Sequence, residues 1–558
     1  MADTTISRLK SGVGEAAMKV FDTKLTRQMA VNMHACVHCG MCFESCHYYL
    51  ATGDPKVTPA YKAEQLRGLY KRRYDWLGRL APGWVHATQP TDEQVAALYE
   101  AAYGNCTMCR RCNLNCPMGL DMALMMRTAR WMLNSQGLIP PGLKATVDAH
   151  LATGNNMGIS REDFLDTVEW LEEELQKELD DPDYRIPVDQ PGTEYLICLN
   201  PREVKWYPLL FMAQFKTCYA AGLNVGLSSA YWDATNYGLF SGDDAACKQI
   251  VTNTIEEAVR LKAKTLILTE CGHGYRVYRW EAPGWYGKPM PVNVVSYIEL
   301  TAEQIRQGRI RVDKTRNIER VTYHDPCNQA RNGGIIDEPR YILSKVVMDF
   351  QEMEPHGVNN FCRGGGGGAL TMSEFRSRRL AAAKVKADQI TATGAKIVAT
   401  SCHNCIDQMS EVSRHYKLGV KVLNLCELVA EAIVLPPKEK MVTAHEITAQ
   451  PIEVDAEGFI RDPSQWSPEA AVFLARRQGF GDALEQLTPE HWRVIEFTRA
   501  YYGRYGLPPM REVICQEQNL SKKRFLALFP GTLKTLYKTA GLPHEVVEQA
   551  MPKEAPRA

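Results

Sequence analysis

The 558-residue sequence predicts a multidomain fold: an α-helical module at the N-terminus, a duplicated α/β domain in the middle and a small helical domain at the C-terminus. Three observations point there. Cysteines cluster twice before residue 120, short β-rich runs then alternate with longer helical patterns for about 250 residues, and after Pro436-Pro437 a charged linker leads into a separate tail. The length agrees, since ~150 residues per domain implies three or four domains. The boundaries read as 1–150, 185–435 and 450–558.

With 45% hydrophobic and 23% charged residues the composition is that of a soluble globular protein. Lys+Arg and Asp+Glu are both 65, which removes any global electrostatic case for nucleic acid or an anionic membrane surface. No apolar run reaches the ~18 residues that span a bilayer, and Met1–Lys10 lacks the apolar stretch of a secretory signal. The 18 cysteines therefore read as metal ligands in a reducing cytoplasm, not as a disulfide scaffold.

The N-terminal module holds two copies of C-x2-C-x2-C-x3-C: Cys36, Cys39, Cys42, Cys46 and Cys106, Cys109, Cys112, Cys116, the second followed by Pro117. This is the bacterial ferredoxin spacing for [4Fe–4S] clusters, in which three thiolates wrap three irons of a cube and the fourth ligates the other cube. It implies Cys36, Cys39, Cys42 and Cys116 on one cluster and Cys106, Cys109, Cys112 and Cys46 on the other. Zinc also uses C-x2-C pairs, but it has no use for a fourth cysteine at a fixed x3 offset twice. His47 stands where proline usually follows the motif. The flanks Ala60–Tyr74, Thr91–Tyr103 and Asp121–Ser135 have helical periodicity. The 59 residues between the motifs include Arg67-Gly-Leu-Tyr-Lys-Arg-Arg-Tyr-Asp-Trp76, which reads either as a docking stretch or as a solvated helix face.

An acidic helix, Arg161–Leu179, ends at Asp-Asp-Pro-Asp, residues 180–183. Strand-like runs follow at Tyr195–Leu199, Asn224–Leu227, Thr265–Thr269, Val321–His324, Lys396–Thr400 and Val420–Leu425. Cys271, Cys327 and Cys402 each lie at the carboxyl end of such a run, where open α/β sheets form ligand sites. The segment reads as duplicated: Thr269-Glu-Cys-Gly-His-Gly-Tyr-Arg276 parallels Thr400-Ser-Cys-His-Asn-Cys-Ile-Asp407, with Gly274 where Cys405 stands. The same 131-residue shift sets Tyr231-Trp232 opposite Cys362-Arg363 and brings position 196 close to Cys198.

Cys327, Cys362 at the head of Cys-Arg-Gly-Gly-Gly-Gly-Gly, and Cys402-His-Asn-Cys405 resemble the cysteine-rich CCG domain of heterodisulfide reductases and of quinone-linked glycolate, lactate and glycerol-phosphate oxidases. Arg363 departs from the family's Cys-Cys-Gly doublet, leaving four cysteines and Cys271 as the candidate fifth. The motif Cys36–Tyr49, the Tyr70–Trp76 stretch and Glu270–Arg276 resemble the DsrK family, the iron–sulfur subunits of the DsrMKJOP membrane complex. That resemblance implies a peripheral protein on the cytoplasmic face of the membrane, held by a haem-bearing, quinone-reactive subunit (DsrM-like) and other complex subunits. It also implies free DsrC as protein substrate, through a di- or trisulfide, in sulfite and sulfate metabolism. The alternative is a non-catalytic electron-transfer subunit, as in the glycolate and lactate oxidases.

The tail, with Glu453–Trp466, Leu487–Trp492, Tyr501–Pro508, Leu528–Pro530 and Ala540-Gly-Leu-Pro543, resembles DsrC itself. That family's two redox cysteines are absent: Tyr537 aligns with the first, and the chain ends Pro552–Ala558 without the second. A DNA-binding reading of the tail lacks a basic recognition helix.

A disulfide takes two electrons and a ferredoxin cube delivers one at a time, so the expectation is two [4Fe–4S] clusters plus a third, special cluster on Cys327, Cys362, Cys402 and Cys405 with Cys271. The glycines after Arg363 would let a partner's peptide arm approach it. His273, His324 and His403 flank candidate ligands as possible proton donors to a leaving thiolate. No Walker or G-x-G-x-x-G signature is present, so neither nucleotide nor flavin is implied. Cys198, Cys218, Cys247 and Cys426 read as core thiols, and Cys515 as inert.

Overall fold

A computed structural model describes residues 12–269, 271–435, 453–478, 487–529 and 533–550. The chain divides into two compact units, 1–435 and 436–558. The architecture is the one the sequence predicts: a helical cysteine-bearing module, two small parallel sheets and a helical tail. The linker expected at 436–452 and the final residues 551–558 lie outside the described residues.

In the first unit, helix Pro59–Tyr74 starts at Thr58, whose hydroxyl accepts from the Tyr61 amide, with proline at the first helical position. Helix Met122–Asn134 is capped by Asp121 and buries Met122, Met125, Met126, Ala129, Met132 and Leu133. This is an apolar stripe at helical spacing, with flexible thioethers filling irregular space. Helix Arg161–Leu179 buries Phe164, Val168, Leu171, Leu175 and Leu179. It meets the α/β region through Phe164, stacked on Trp232 with ring centroids 4.5 Å apart.

Two four-stranded parallel sheets follow. Strands β1 (Tyr195–Cys198), β2 (Val225–Gly226), β3 (Thr265–Leu268) and β4 (Asn293–Ser296) are ordered β2-β1-β3-β4. Strands β5 (Arg320–Tyr323), β6 (Asp349–Phe350), β7 (Ile397–Thr400) and β8 (Lys421–Asn424) repeat that order as β6-β5-β7-β8. Strand β4 and the two-residue β6 are additions to the strand-like runs of the sequence. Helix Gly272–Arg276 leaves β3 and helix His403–Tyr416 leaves β7, so both sheets present helix starts at the same corner.

The basic stretch is not a plain solvated face. Arg67 is buried and donates to the Met33 carbonyl at 2.7 Å, Lys71 donates to the Val85 carbonyl at 2.9 Å, and Arg73 pairs with Asp22. What remains exposed there is Trp76, with Leu80 and Trp84 beyond it. Among the described residues no helix is long and apolar enough to cross a membrane.

In the second unit the core gathers Phe459, Val494, Ile495, Ile514, Phe525, Phe529, Leu536, Leu542 and Val547. Tyr537 is fully buried in it and its hydroxyl donates to the Pro509 carbonyl at 2.7 Å. A packed phenol thus fills the position where the resembling family carries a cysteine. Gly541, in the left-handed region at φ 63°, lies under the Trp466 ring, and any Cβ there would collide with it. Trp466 in turn donates to the Thr539 carbonyl at 2.9 Å.

Arg130 joins the parts of the first unit. It is fully buried, and its guanidinium donates to the carbonyls of Ala102 (3.0 Å), Cys106 (2.8 Å), Phe240 (2.8 Å) and Gly367 (2.6 Å). Those carbonyls belong to the cysteine module, the first sheet's half and the second sheet's half. Removing the donor would leave acceptors buried and unpaired, at ~1–3 kcal/mol each and not additively. Arg130→Met is expected to lower the unfolding free energy of the first unit by at least ~3 kcal/mol, and Arg130→Lys by less, measured by denaturant titration of the anaerobic protein.

Candidate functional site

The two cysteine motifs fold alike. Each places left-handed residues two and four positions after its first cysteine, His38 and Gly40 in one and Met108 and Arg110 in the other. This curls the C-x2-C-x2-C run around a cavity. One cavity, about 450 Å³, is lined by Cys36, Cys39, Cys42 and Cys116, with Cys112 at its edge. The other, about 380 Å³, is lined by Cys46, Cys106, Cys109 and Cys112. The fourth cysteine of each motif faces the cavity of the other. The first cavity lies at the surface, where Cys39 is exposed, and is here called outer. The second is walled by His47, Tyr48, Lys62 and Thr107, and is called inner.

Cys327, Cys362, Cys402 and Cys405 are all buried, at 3%, 1%, 5% and 1% exposure. Cys327 follows β5 through His324-Asp325-Pro326, and Cys402 and Cys405 sit at the start of helix His403–Tyr416. The thiols pair: a hydrogen bond from Cys327 holds Cys362 below the ordinary thiol range against burial, helped by His47 and Arg363. A bond from Cys405 likewise lowers Cys402, to about 5, against burial and with help from Arg363. Burial disfavours the Arg363 charge, but the sulfurs of Cys405, Cys362, Cys402 and Cys327 push its pKa up. Thiolates in such a field are in the state that binds metal.

Around these sulfurs lie buried polar atoms without partners: both ring nitrogens of His324, Nε2 of His47, Nδ1 of His403 and Nε of Arg363. Among the described residues Lys386 Nζ donates only to Met353 Sδ, at 3.6 Å. Buried donors are normally satisfied, so their convergence here fits an electron-rich group between the cysteines. An iron–sulfur cluster, with its sulfides, is such a group. A single zinc ion fits less well, since four thiolates at ~2.3 Å from it stand ~3.8 Å apart. Among the described residues no three cysteine sulfurs lie within 4.8 Å of one another.

Cys271 caps helix Gly272–Arg276, its sulfur accepting from the Gly274 amide at 3.3 Å and lying 3.1 Å from His273 Nδ1. It is buried, its thiol pushed up first by burial and then by the neighbouring Cys402. Strand register corrects the alignment of the two halves. Tyr195 pairs with Thr265 and Val321 with Ile397, which sets residue 195 against 320 and hence Arg202 opposite Cys327. Cys198 is instead a core residue within β1, and Trp232 packs on Phe164. Arg202 pairs with Asp407 at 2.8 Å, so the first half holds the second by an ion pair.

Glu203 is a site residue that the sequence reading misses. It is buried, its Oε1 lies 3.0 Å from His403 Nε2, and it accepts from Gln214 at 3.0 Å and from the Asn200 amide at 3.0 Å. Its signal is the capping box Asn200-Pro-Arg-Glu203. The glycine run is also different from expectation. It is buried, and a Cβ on Gly366 would lie 3.2 Å from Thr107 and 3.3 Å from Cys362 Sγ. These glycines admit the chain's own cysteine module, not a partner's arm. Arg331, donating to the Cys109 carbonyl at 2.7 Å, ties the same contact. The inner cavity therefore abuts Cys362, and the outer one lies beyond it.

Three family models match the chain: a 4Fe-4S dicluster domain over residues 32–120, a cysteine-rich domain over 321–410 and a DsrC like protein over 446–546. The chain is 30% identical over 455 residues to an Hdr-like menaquinol oxidoreductase iron–sulfur subunit of Archaeoglobus profundus, covering 73% of this chain and 81% of that one. It belongs to the Hdr-like iron–sulfur subunit family. Similarity extends to one of the subunits of the dihydromethanophenazine:CoB–CoM heterodisulfide reductase of Methanosarcina mazei, 26% identical over 426 residues, 75% of this chain and 98% of that one. The tail is 34% identical over 103 residues to the sulfurtransferase TusE of Shigella dysenteriae, 17% of this chain and 90% of TusE. The chain is thus an iron–sulfur protein of an oxidoreductase family, with a DsrC-like C-terminal domain.

The crossed lining of the two cavities has a direct test. Cys46→Ala is expected to perturb the centre of the second motif and spare that of the first, read by anaerobic iron analysis and electron paramagnetic resonance. Loss of the first motif's centre instead would place Cys46 with its own motif.

Proposed function

We propose that this chain is the iron–sulfur subunit of a membrane-bound, quinone-linked complex of dissimilatory sulfur metabolism, and that it exchanges electrons with a di- or trisulfide on a free DsrC-type protein. The observation that carries this is the convergence of unpartnered buried donors on Cys327, Cys362, Cys402 and Cys405, directly against the inner ferredoxin cavity. In this reading Cys36, Cys39, Cys42 and Cys116 hold the outer [4Fe–4S] cluster and Cys46, Cys106, Cys109 and Cys112 the inner one. The remaining four cysteines hold a third centre, with Cys271 as near neighbour. The clusters supply one-electron steps, and the third supplies a place for substrate sulfur.

The protein's own groups do the rest. Reducing a disulfide consumes two electrons and two protons and releases two thiols. His403, oriented by Glu203, and His273, beside Cys271, are placed to hold such protons. Arg363 and Lys386 offset the negative charge that arrives with the electrons. The names of the relatives, menaquinol oxidoreductase and heterodisulfide reductase, support quinol on one side and a sulfur–sulfur bond on the other. A haem-bearing DsrM-like subunit at the cytoplasmic face of the membrane is the partner this reading requires. The DsrC-like domain, with Tyr537 sealed in its core, carries no sulfur by the family route and leaves free DsrC as the substrate.

A second reading, a pure electron-transfer subunit, draws on the depth of the four cysteines, none more than 5% exposed. It also draws on similarity to an EtfAB:quinone oxidoreductase of Syntrophomonas wolfei, 23% identical over 433 residues. One experiment separates the two. In the oxidised protein, a DsrC-type thiol partner should alter a paramagnetic signal that Cys402→Ser abolishes while both ferredoxin signals persist. An unaltered signal would favour the electron-transfer reading, and zinc in place of iron would end both.

A further inference from the structure

Buried cations in the first unit fall into two groups. Arg67, Arg202, Arg276 and Arg379 each pair with a carboxylate, those of Glu64, Asp407, Glu281 and Glu411. Lys62 does not. It sits in the first turn of helix Pro59–Tyr74 at 2% exposure and lines the inner cavity. Its Nζ donates to Cys46 Sγ at 3.4 Å and lies 5.3 Å from the centre of the Tyr48 ring. Among the described residues no carboxylate reaches it. An ammonium removed from water needs a compensating negative charge, and the charge on offer is that of the cysteine sulfurs around the cavity. The other cation lining this cavity, Arg110, is already paired with Asp121 at 2.8 Å.

A fixed positive charge beside a redox centre favours the form with one more electron, and a hydrogen bond to a ligand sulfur acts in the same sense. Around a side chain as buried as Lys62, 2% exposed, this effect is weakly screened. Among the described residues the outer cavity has no counterpart: Arg67, which reaches it through His38, is paired with Glu64, and Cys39 is exposed.

We propose that Lys62 sets the reduction potential of the inner centre, raising it through its charge and its hydrogen bond to Cys46. This rests on the reading that Cys46, Cys106, Cys109 and Cys112 hold an iron–sulfur cluster. Lys62 takes no part in bond making. It makes acceptance of an electron at the inner centre more favourable, and so governs how the inner centre stands relative to its neighbours on either side.

The test is a mediated redox titration of the purified full-length chain, followed by electron paramagnetic resonance. Cys106→Ser comes first: loss of one ferredoxin signal identifies the inner centre, and an unchanged iron content and spectrum would overturn the cluster reading and this proposal together. With the inner signal identified, Lys62→Met and Lys62→Gln should both shift its midpoint to lower potential, and Lys62→Arg should retain most of the wild-type value. The outer signal should stay in place in all three. Two variants guard against a folding defect in one. An inner midpoint unmoved in Met and Gln variants of full iron content would overturn the role of Lys62 alone, as would an equal shift of both ferredoxin signals.

Discussion

The first unit depends on one guanidinium. Arg130 has no carboxylate partner; its fork is directed wholly at backbone, donating to four carbonyls drawn from three parts of the chain. Carbonyls in loops lack the partners that helices and sheets supply, and here the loops are the ones that carry the chemistry: Cys106 begins the second motif and Gly367 ends the approach to Cys362. A strand or helix in their place would satisfy the backbone but would not bring two cysteine-bearing loops face to face. The side chain does both at once, and its ring neighbour Tyr103, 4.8 Å away, offers a π face rather than a competing acceptor.

Charge is distributed over the site with the same economy. Paired cations hold elements together, as Arg202 holds the two α/β halves through Asp407. Lys62, Arg363 and Lys386, which like Arg130 make no ion pair among the described residues, lie instead against cysteine sulfur or thioether. The two populations answer different needs. A paired cation is electrostatically silent at a distance, whereas an unpaired one keeps its field for the centre it faces.

Much of this was legible in the sequence. The C-x2-C-x2-C-x3-C motifs mark both cavities, and the exchange of the fourth cysteine that this ferredoxin spacing implies is matched by their crossed lining. Four-residue β runs ending in cysteine were visible for the same local reason. What was not legible is tertiary. Arg67 reads as part of a docking stretch or a solvated helix face, yet its partner is the Met33 carbonyl, and nothing in the sequence sets Lys62 beside Cys46. Arg130 reads as an ordinary helical arginine, and its acceptors lie as far as 237 residues away. Strand β6 has two residues and no period to detect. The duplication was visible at Thr269 and Thr400 but misaligned at its start, because the loops differ in length and only strand register shows Arg202 opposite Cys327.

The depth of the third cysteine set bears on biogenesis. Cys362 touches Thr107 of the neighbouring module across glycines that leave no room for a side chain, and all four thiols are sealed. A cofactor as large as an iron–sulfur cluster cannot diffuse into such a place once the halves have closed on it. On the proposed reading, a third cluster would have to enter while the chain is still open, so that insertion and the final docking of the modules become one ordered event. The Cys39 end is different, because that cysteine is exposed and its cavity can be reached on the folded protein.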